Sequence, residues 1–235
     1  MLSREDLQIL EKSKEWGWVL EPDAKRLFAR AGLDVPNFRL ACTEADAVTF
    51  AGELGYPLVA KIVSPKVLHK SDVGGVVVGI DNDAQIKSVF SRFSQFDQFV
   101  GIHLEEMAAG VELIVGAKID PQFGPVVLLG MGGIGVEIYQ DIAIRMAPIS
   151  KQDVMDMVSS LKARKLLEGY RGSEPVNLKK LAQALVAFSE LVMEMAGEIE
   201  SIDLNPVMCT ADRCIIADAR IMMKPPSMTA VEQAP

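Results

Sequence analysis

Hydrophobic and polar positions along the chain repeat with two periods, about 3.6 and 2 residues, which predict helices and strands in turn. Ser3, Thr43 and Ser150 each stand at the start of a predicted helix, and Pro22 fits the first turn of another. Predicted helices cover 7–18, 22–32, 44–55, 83–93, 151–161 and 178–195, and predicted strands cover 37–41, 56–63, 74–80, 100–106, 111–119, 124–129, 142–147, 199–204 and 214–219.

These segments form two successive units that mix helices with strands, which indicates an α+β or α/β fold. The first unit runs from residue 22 to about 103, and the second follows it. The last stretch, 224–235, contains proline and polar residues, so we expect it to fray.

Composition narrows the function classes. Hydrophobic residues make up 49% of the chain, enough for a packed core, and the net charge is −8. An acidic protein is a poor nucleic-acid binder, because affinity for a polyanion depends on clustered basic residues. The three cysteines show no CxxC spacing, the N-terminus has no signal-peptide pattern, and no apolar run reaches the length of a membrane span. We therefore predict a cytoplasmic protein that binds neither nucleic acid nor membrane.

The segment 61–75, KIVSPKVLHKSDVGG, runs from a strand into a polar loop with two glycines. Lys61 at the end of that strand suits a phosphate group, although a lysine whose ammonium reaches solvent is an equal alternative. His69 in the loop could accept a phosphoryl group, but read alone it is more typical of a surface histidine. His103, inside an apolar strand, is interpreted as structural.

The segment 104–116, LEEMAAGVELIVG, has the pattern of a hinge between two lobes. A backbone edge followed by a carboxylate could hold a purine and its ribose hydroxyls. Read alone, Glu106 and Glu112 are more typical of solvated charges at strand ends. The glycine-rich stretch 129–136, LGMGGIGV, matches a dinucleotide fingerprint only loosely, and a flexible loop near a ligand is the better interpretation.

Arg145 lies in the apolar segment IAIRMAP. A buried arginine is rare without a partner. Two roles remain open for it: an ion pair with Asp141 or Glu137, or a contact with a phosphate group.

Polar residues also interrupt the last two predicted strands. Asp203 and Asn205 alternate, so they share one face, and Asp218 follows in the next strand with Arg220 on its own face. If the two strands pair, the three oxygen-bearing side chains converge. Because magnesium prefers carboxylate and amide oxygens, a metal site is favoured over a simple Asn-Pro turn.

Five stretches in this order resemble the ATP-grasp fold and, more narrowly, the β subunit of ADP-forming acetyl-CoA synthetase, a relative of succinyl-CoA synthetase. The resemblance covers residues 22–223 and implies an α+β fold of two lobes with a nucleotide between them. The small lobe would span 22–103, and the large lobe would span 104–223 together with the N-terminal helix in 1–21. The stretches are KIVSPKVLHKSDVGGV, LEEMAAGVELIVGAKIDPQFGPVV, LGMGGIGVEI, LLEGYRG and IDLNPV.

The resemblance implies a role for each candidate residue, with ATP or ADP and Mg²⁺ as cofactors. Catalytic roles would belong to His69, as a phosphoryl relay, and to Arg145. Lys61 would contact the nucleotide phosphates, Ser71, Gly74 and Gly75 would cover them, Glu106 and the backbone near Ala108 would meet the adenine, Glu112 would meet the ribose, and Asn205 and Asp218 would hold the metal with support from Asp203.

The implied reaction converts acyl-CoA, ADP and phosphate into acid, ATP and CoA through a phosphohistidine. The β subunit of succinyl-CoA synthetase continues into a further domain that this chain does not match. The resemblance therefore implies a separate CoA-binding α subunit, an α2β2 assembly and no activity for the chain alone. Two alternatives stay open: a nucleotide-sensing regulatory module of a protein acyltransferase, and an ATP-grasp carboxylate–amine ligase, which the HKSD loop disfavours.

Overall fold

The computed structural model describes residues 1–133 and 140–225. Within them the chain forms two lobes, each built on an antiparallel sheet. The helices are α1 (Arg4–Ser13), α2 (Glu21–Arg30), α3 (Glu44–Leu54), α4 (Asp83–Phe93), α5 (Lys151–Ser160) and α6 (Leu178–Met195). The strands are β1 (Trp18–Val19), β2 (Phe38–Ala41), β3 (Leu58–Val63), β4 (Val76–Ile80), β5 (Gly101–Glu106), β6 (Val111–Asp120), β7 (Gly124–Met131), β8 (Ile142–Met146), β9 (Ile199–Cys209), β10 (Cys214–Ile216) and β11 (Arg220–Met223).

The small lobe contains a sheet with the strand order β2–β5–β3–β4, and α3 and α4 pack against it. Its core is apolar, and both Ile102 and Leu104 of β5 are fully buried in it. Successive side chains of a strand point to opposite faces. His103 and Glu105 therefore leave this core and face the other lobe, where they are also buried.

The large lobe contains a sheet whose described strands follow the order β1–β11–β9–β6–β7–β8, with β10 beside β9. Helices α5 and α6 pack against β7, β8 and β10. The apolar core includes Leu113, Val127 and Phe188, each fully buried. On β9 the residues Ile202 and Leu204 are buried, whereas Asp203 and Asn205 between and beyond them are more exposed. The polar pair therefore lies on the opposite face of the sheet.

Helix α2 belongs to the large lobe, which corrects the predicted boundary of the small lobe at residue 22. The helix has one apolar face, and its residues Ala24, Leu27 and Phe28 are buried in the core of the large lobe. The rings of Phe28 and Phe188 lie 6.4 Å apart between centroids. Strand β1, just before α2, pairs with β11, so the N-terminal segment joins the large lobe as predicted.

Two other predicted elements differ from the structure. The helix predicted over 7–18 ends at Ser13, because Gly17 adopts a left-handed φ of 77° and the chain then forms β1. The strand predicted over 214–219 is interrupted after Ile216. There the amides of Ala217 and Asp218 both donate to the carbonyl of Pro206, which bends the chain before β11.

Parts of two predicted segments lie outside the described residues. These are positions 134–136 of the glycine-rich stretch and positions 226–235 of the C-terminal tail, and Glu137 is outside as well. Among the helices that the structure describes, none has both the length and the apolar character needed to cross a membrane.

Candidate functional site

A cavity of about 390 Å³ lies between the two lobes. Its wall contains nine of the residues that the sequence singled out, drawn from both sheets and the connections beside them: Lys61, His69, Ser71, Glu106, Ala108, Glu112, Asp203, Asn205 and Asp218. Lys70 and Arg220, to which the sequence assigned no site, line it as well. Gly74, Gly75 and Arg145 are not among its lining residues.

Lys61 is buried at the base of this cavity, with 5% of its surface exposed. Its ammonium lies 2.8 Å from Glu21 Oε1 and 2.8 Å from Glu105 Oε1, and it donates to the carbonyl of Ala217 at 2.5 Å. Burial alone would lower the pKa of Lys61, but attraction to Glu21, Glu105 and Asp218 outweighs burial and raises it. The side chain is therefore a buried cation and does not reach toward solvent.

Lys70 supplies a second cation from the loop after β3. Its ammonium lies 2.7 Å from Glu21 Oε2 and 3.1 Å from Asp218 Oδ1. Burial opposes the charge, yet attraction to those two carboxylates raises the pKa of Lys70 above its usual value. Lys70 adjoins His69 in the sequence, but sequence analysis assigned it no site. Its burial depends on contacts with the other lobe, which hydrophobic periodicity does not encode.

Gly75 closes the loop that carries these side chains. Its amide donates to the carbonyl of Lys70 at 2.7 Å, and a Cβ built at Gly75 would meet Ile62 Cγ2 at 2.5 Å. Gly74 adopts a left-handed φ of 65°. Both glycines therefore permit the tight turn that brings Lys70 and His69 to the cavity.

The two lysines belong to a larger group of buried charged and polar residues, which we call the interlobe cluster. Its members are Glu21, Lys25, Lys61, Lys70, His103 and Glu105. Lys25 is fully buried on α2, contacts Glu21 at 3.1 Å, pairs with Glu105, and donates to Ala217 O at 2.9 Å. The carboxylates of Glu21 and Glu105 lie close enough to His103 to suggest a metal site, but the ammonium groups of Lys25 and Lys61 already neutralise them.

His103 is structural, as predicted. Its ring is fully buried and stacks on Phe38, with 4.8 Å between centroids, and Nε2 lies 2.9 Å from Glu105 Oε2. Burial lowers the pKa of His103, so the imidazole is neutral at pH 7. The sequence missed Glu21, Lys25 and Glu105. The alternation of His103 and Glu105 in an apolar strand was the available signal, since the same alternation identified Asp203 and Asn205.

His69 is exposed and faces Arg220 across the cavity wall. Its Nδ1 lies 3.2 Å from Nη1 of Arg220, and Nη2 of Arg220 donates to Asp203 Oδ2 at 2.9 Å. Strands β11 and β9 set this arrangement, because Arg220 and Asp203 are direct partners in their register. The loop of the small lobe thus contacts the large lobe through the imidazole itself.

The predicted convergence of Asp203, Asn205 and Asp218 is confirmed: all three line one wall of the cavity. Asp218 reaches it from the bend after β10, held by the carbonyl of Pro206. Asn205 and Asp218 offer amide and carboxylate oxygens on a surface open to the cavity, which fits a magnesium ion. Asp203, in contrast, already accepts a hydrogen bond from Arg220.

The connection between β5 and β6 forms another part of the wall. The carboxylate of Glu106 accepts a hydrogen bond from Asn37 Nδ2 at 2.9 Å and another from Arg213 Nη1 at 3.3 Å. Those contacts engage the side chain of Glu106, so the backbone from Glu106 to Ala108 is the part suited to a purine edge. Glu112 is exposed on β6 and lines the same cavity.

Arg145 is exposed on β8, which corrects the expectation that it is buried. Of the roles left open for it, the ion pair with Asp141 is not formed. Its Nη1 donates to the carbonyl of Ile144, while Asp141 accepts hydrogen bonds from the amides of Lys162 and Ala163 at 2.7 and 2.8 Å. The apolar neighbours misled the prediction, because Ile144 and Met146 on this strand are exposed as well.

Comparison with known proteins gives a consistent result. A family model described as an ATP-grasp domain matches residues 11–223. The β subunit of acetate–CoA ligase (ADP-forming) I from Pyrococcus furiosus is 43% identical over 225 residues, which cover 92% of this chain and 97% of that subunit. The 4-hydroxybutyrate–CoA ligase (ADP-forming) of Nitrosopumilus maritimus is 40% identical, but the match covers 86% of this chain and only 30% of that protein.

A solved structure also resembles the chain. Acetyl-coenzyme A synthetase 1 of Ca. Korarchaeum cryptofilum, in complex with coenzyme A, Ca-AMPCP and HgCl⁺, superposes with a TM-score of 0.88 at 41% sequence identity. The match covers 94% of this chain and 100% of that chain.

Proposed function

Because the chain belongs to the ATP-grasp domain family, and within it to the β subunits of ADP-forming acetate–CoA ligases, we propose that it is the nucleotide-binding subunit of an ADP-forming acyl-CoA synthetase. The complete enzyme converts acyl-CoA, ADP and phosphate into acid, ATP and CoA, through an acyl phosphate and a phosphohistidine. This chain contributes the nucleotide site and the last phosphoryl transfer.

One observation carries the proposal: three cations and a histidine face a single cavity in a protein of net charge −8. Lys61, Lys70 and Arg220 lie around His69 there. Phosphoryl transfer depends on positioning and on neutralising charge that the phosphate oxygens carry. A carboxylate–amine ligase would need the nucleotide site but no histidine in this position.

The remaining lining residues suit the rest of the nucleotide. Asn205 and Asp218 would hold Mg²⁺, which neutralises phosphate charge when it is bound. Backbone groups from Glu106 to Ala108 would meet the adenine, and Glu112 would meet the ribose. Ser71, at the start of a short 3-10 turn, would cover the phosphates from the small lobe.

The partner would be a CoA-binding α subunit in an α2β2 assembly in the cytoplasm. Support comes from coverage: the chain spans nearly all of the P. furiosus β subunit but only about a third or less of single-chain relatives such as the N. maritimus ligase. Cell fractionation and the mass of the purified complex test the location and the stoichiometry.

The first experiment assays ATP formation from acyl-CoA, ADP and phosphate, with the chain alone and with a CoA-binding subunit. We expect activity from the mixture only, and binding of Mg-ADP by the chain alone. Turnover by the isolated chain would contradict the subunit role. Nucleotide binding without turnover in any mixture, together with tight binding to a protein acyltransferase, would instead favour a regulatory module.

A second experiment tests His69 as the residue that carries the phosphoryl group. His69→Gln and His69→Asn retain an amide donor but have no nucleophilic nitrogen. We expect both variants to bind nucleotide normally and to lose turnover by several orders of magnitude. If His69→Gln keeps a tenth of the activity, a barrier change of about 1.4 kcal/mol, the relay role is wrong.

A further inference from the structure

The guanidinium of Arg220 contacts two side chains of different chemistry, Asp203 and His69. One nitrogen of its guanidinium, Nη2, donates to Asp203 Oδ2 at 2.9 Å, and the other, Nη1, lies 3.2 Å from His69 Nδ1. Because a guanidinium carries only donors and stays charged, Nδ1 of His69 must be the acceptor. The neutral imidazole then has its proton on Nε2, and Nδ1 keeps the in-plane lone pair that can attack phosphorus.

Asp203 fixes the direction of this guanidinium. The two residues are direct partners in the register of β9 and β11, so the rigid large sheet sets their separation. The side chain of Arg220 is 28% exposed and that of Asp203 is 43% exposed, so solvent reaches both from the cavity. This pair is therefore placed to hold a loop residue against a site that a ligand can enter.

We propose that Arg220 is the positioning residue for His69, and that Asp203 serves to anchor Arg220 rather than to support the metal. The inference rests on the proposed function and refines it. Arg220 holds Nδ1 in the resting protein. When Nδ1 bonds phosphorus, the guanidinium passes to the phosphoryl oxygens and partly neutralises them while His69 carries the group.

The chemistry balances when Nδ1 is the attacking nitrogen and Arg220 releases it. When the partner's phosphohistidine donates, its N–P bond breaks with the electron pair left on that nitrogen. The lone pair of His69 Nδ1 forms the new bond to phosphorus, and the proton on Nε2 passes to solvent. In the next step the Nδ1–P bond breaks, and phosphorus bonds to a terminal oxygen of the ADP β-phosphate. Nδ1 keeps the electron pair, and Nε2 takes a proton back from solvent.

Arg220 assists the second step through the phosphoryl group. Its Nη1 starts 3.2 Å from the nitrogen that bonds phosphorus, so the guanidinium would lie beside the phosphoryl oxygens. Charge-assisted hydrogen bonds there are stronger than neutral ones. A lysine in place of Arg220 would retain the charge, but its ammonium lacks the planar pair of donors that contacts Asp203 and His69 together.

The test compares Arg220→Gln, Arg220→Lys and the unaltered chain, each assembled with the CoA-binding subunit. We expect Arg220→Gln to lower kcat about 100-fold, the scale of losing one positioned donor, with Mg-ADP affinity within about twofold. Arg220→Lys should recover part of the loss. Arg26→Gln is the matched control, because Arg26 pairs with Asp23 at 2.5 Å on α2, outside the cavity lining, and should retain full activity.

Asp203→Asn tests the anchor separately. We expect it to lower kcat as Arg220→Gln does without changing the magnesium concentration needed for half-maximal activity. The double variant should be no slower than Arg220→Gln alone, since both changes remove one unit.

The outcomes separate the inference from the function on which it rests. No turnover by the unaltered assembly contradicts the proposed function. Turnover by the unaltered assembly, with a third or more retained in Arg220→Gln, overturns the inference alone. A fall in Mg-ADP affinity that matches the fall in turnover would make Arg220 a nucleotide contact, and a raised magnesium requirement in Asp203→Asn would restore Asp203 to the metal site. Both results overturn the inference.

Discussion

The core of the large lobe and the interlobe cluster are both buried, yet they are made of opposite residue types. Leu113, Val127 and Phe188 fill the core with apolar surface. The cluster holds Lys25 and Glu105, at 0% and 3% exposure, where charged residues rarely lie unless they are paired. The core stabilises through the surface it removes from water, whereas the cluster must satisfy every charge that it buries.

The contacts within the interlobe cluster show how its charges are balanced. Lys25, Lys61 and Lys70 contact Glu21, Glu105 and Asp218, so three positive charges meet three negative ones before any ligand binds. An apolar interface could close the two lobes equally well, but it could not place ammonium groups beside the cavity, where the proposed function needs them. Because the pairs are already neutral, a nucleotide bound as proposed would bring excess negative charge, which a divalent cation near Asp218 would offset.

The largest expected effect on stability comes from one disruptive substitution in each region. Lys25→Met leaves Glu105 without its partner on α2, and Phe188→Ala leaves a void, so each should lower the free energy of unfolding by about 3–5 kcal/mol. Within the cluster, the cost of a second substitution should depend on the first. Adding Glu105→Gln to Lys25→Met should cost at least about 1 kcal/mol less than the sum of the single effects, because the unpaired charge is gone.

Urea denaturation measures these differences. Lys25→Met combined with Ile80→Ala, which lies in the core of the small lobe, is the additive control. Simple additivity of the Lys25 and Glu105 changes would contradict the view that the cluster is one coupled unit.

The next effect is a dependence of stability on pH, to which the interlobe cluster contributes and the apolar core does not. Burial alone would raise the pKa of Glu105, but attraction to Lys25 and Lys61 and the hydrogen bond with His103 lower it from 4.5 to about 2. A lowered carboxyl pKa stabilises the fold above the unfolded value, and this contribution is lost as pH falls from 4.5 toward 2. The loss should be of the order of 3 kcal/mol.

Thermal unfolding between about pH 5 and about pH 2 can measure this acid limb. Glu105→Gln should flatten it relative to the unaltered chain. An equal acid limb in both proteins would show that other carboxylates are responsible.

A smaller effect is expected where the cluster meets the cavity. Asp218 is 37% exposed, so Asp218→Asn should leave the fold intact while it weakens magnesium-dependent nucleotide binding about tenfold or more. Asp212→Asn, in the exposed turn between β9 and β10, is the matched control. Calorimetry with and without magnesium measures both variants. Lower stability with unchanged metal dependence would make Asp218 a structural partner of Lys70.

The smallest effect is expected at Arg145, which belongs to neither region. Its side chain is exposed on β8 and lies outside the cavity lining. Arg145→Ala should change the free energy of unfolding by less than about 0.5 kcal/mol and leave turnover unaltered. A clear loss of turnover would return Arg145 to the catalytic residues that the sequence suggested.

The sequence predicted most elements because their signals are local. Ser150 caps α5 and Thr43 caps α3 as expected, and α6 has the predicted bounds. Asp203 and Asn205 could be recognised because polar residues alternate there in an apolar strand. Glu21, by contrast, looks like an ordinary acidic residue in the first turn of a helix. Its burial depends on three lysines from distant parts of the chain.

The pairing of β1 with β11 has a consequence for synthesis on the ribosome. The small lobe is one continuous stretch from β2 to β5, so it can fold as soon as it has emerged. Strand β1 is made earlier than that lobe but finds its partner only after residues 20–219 have been translated. The N-terminal segment must therefore wait with its apolar face unprotected, and a chaperone that binds nascent chains would meet α2 rather than the lobe that follows it.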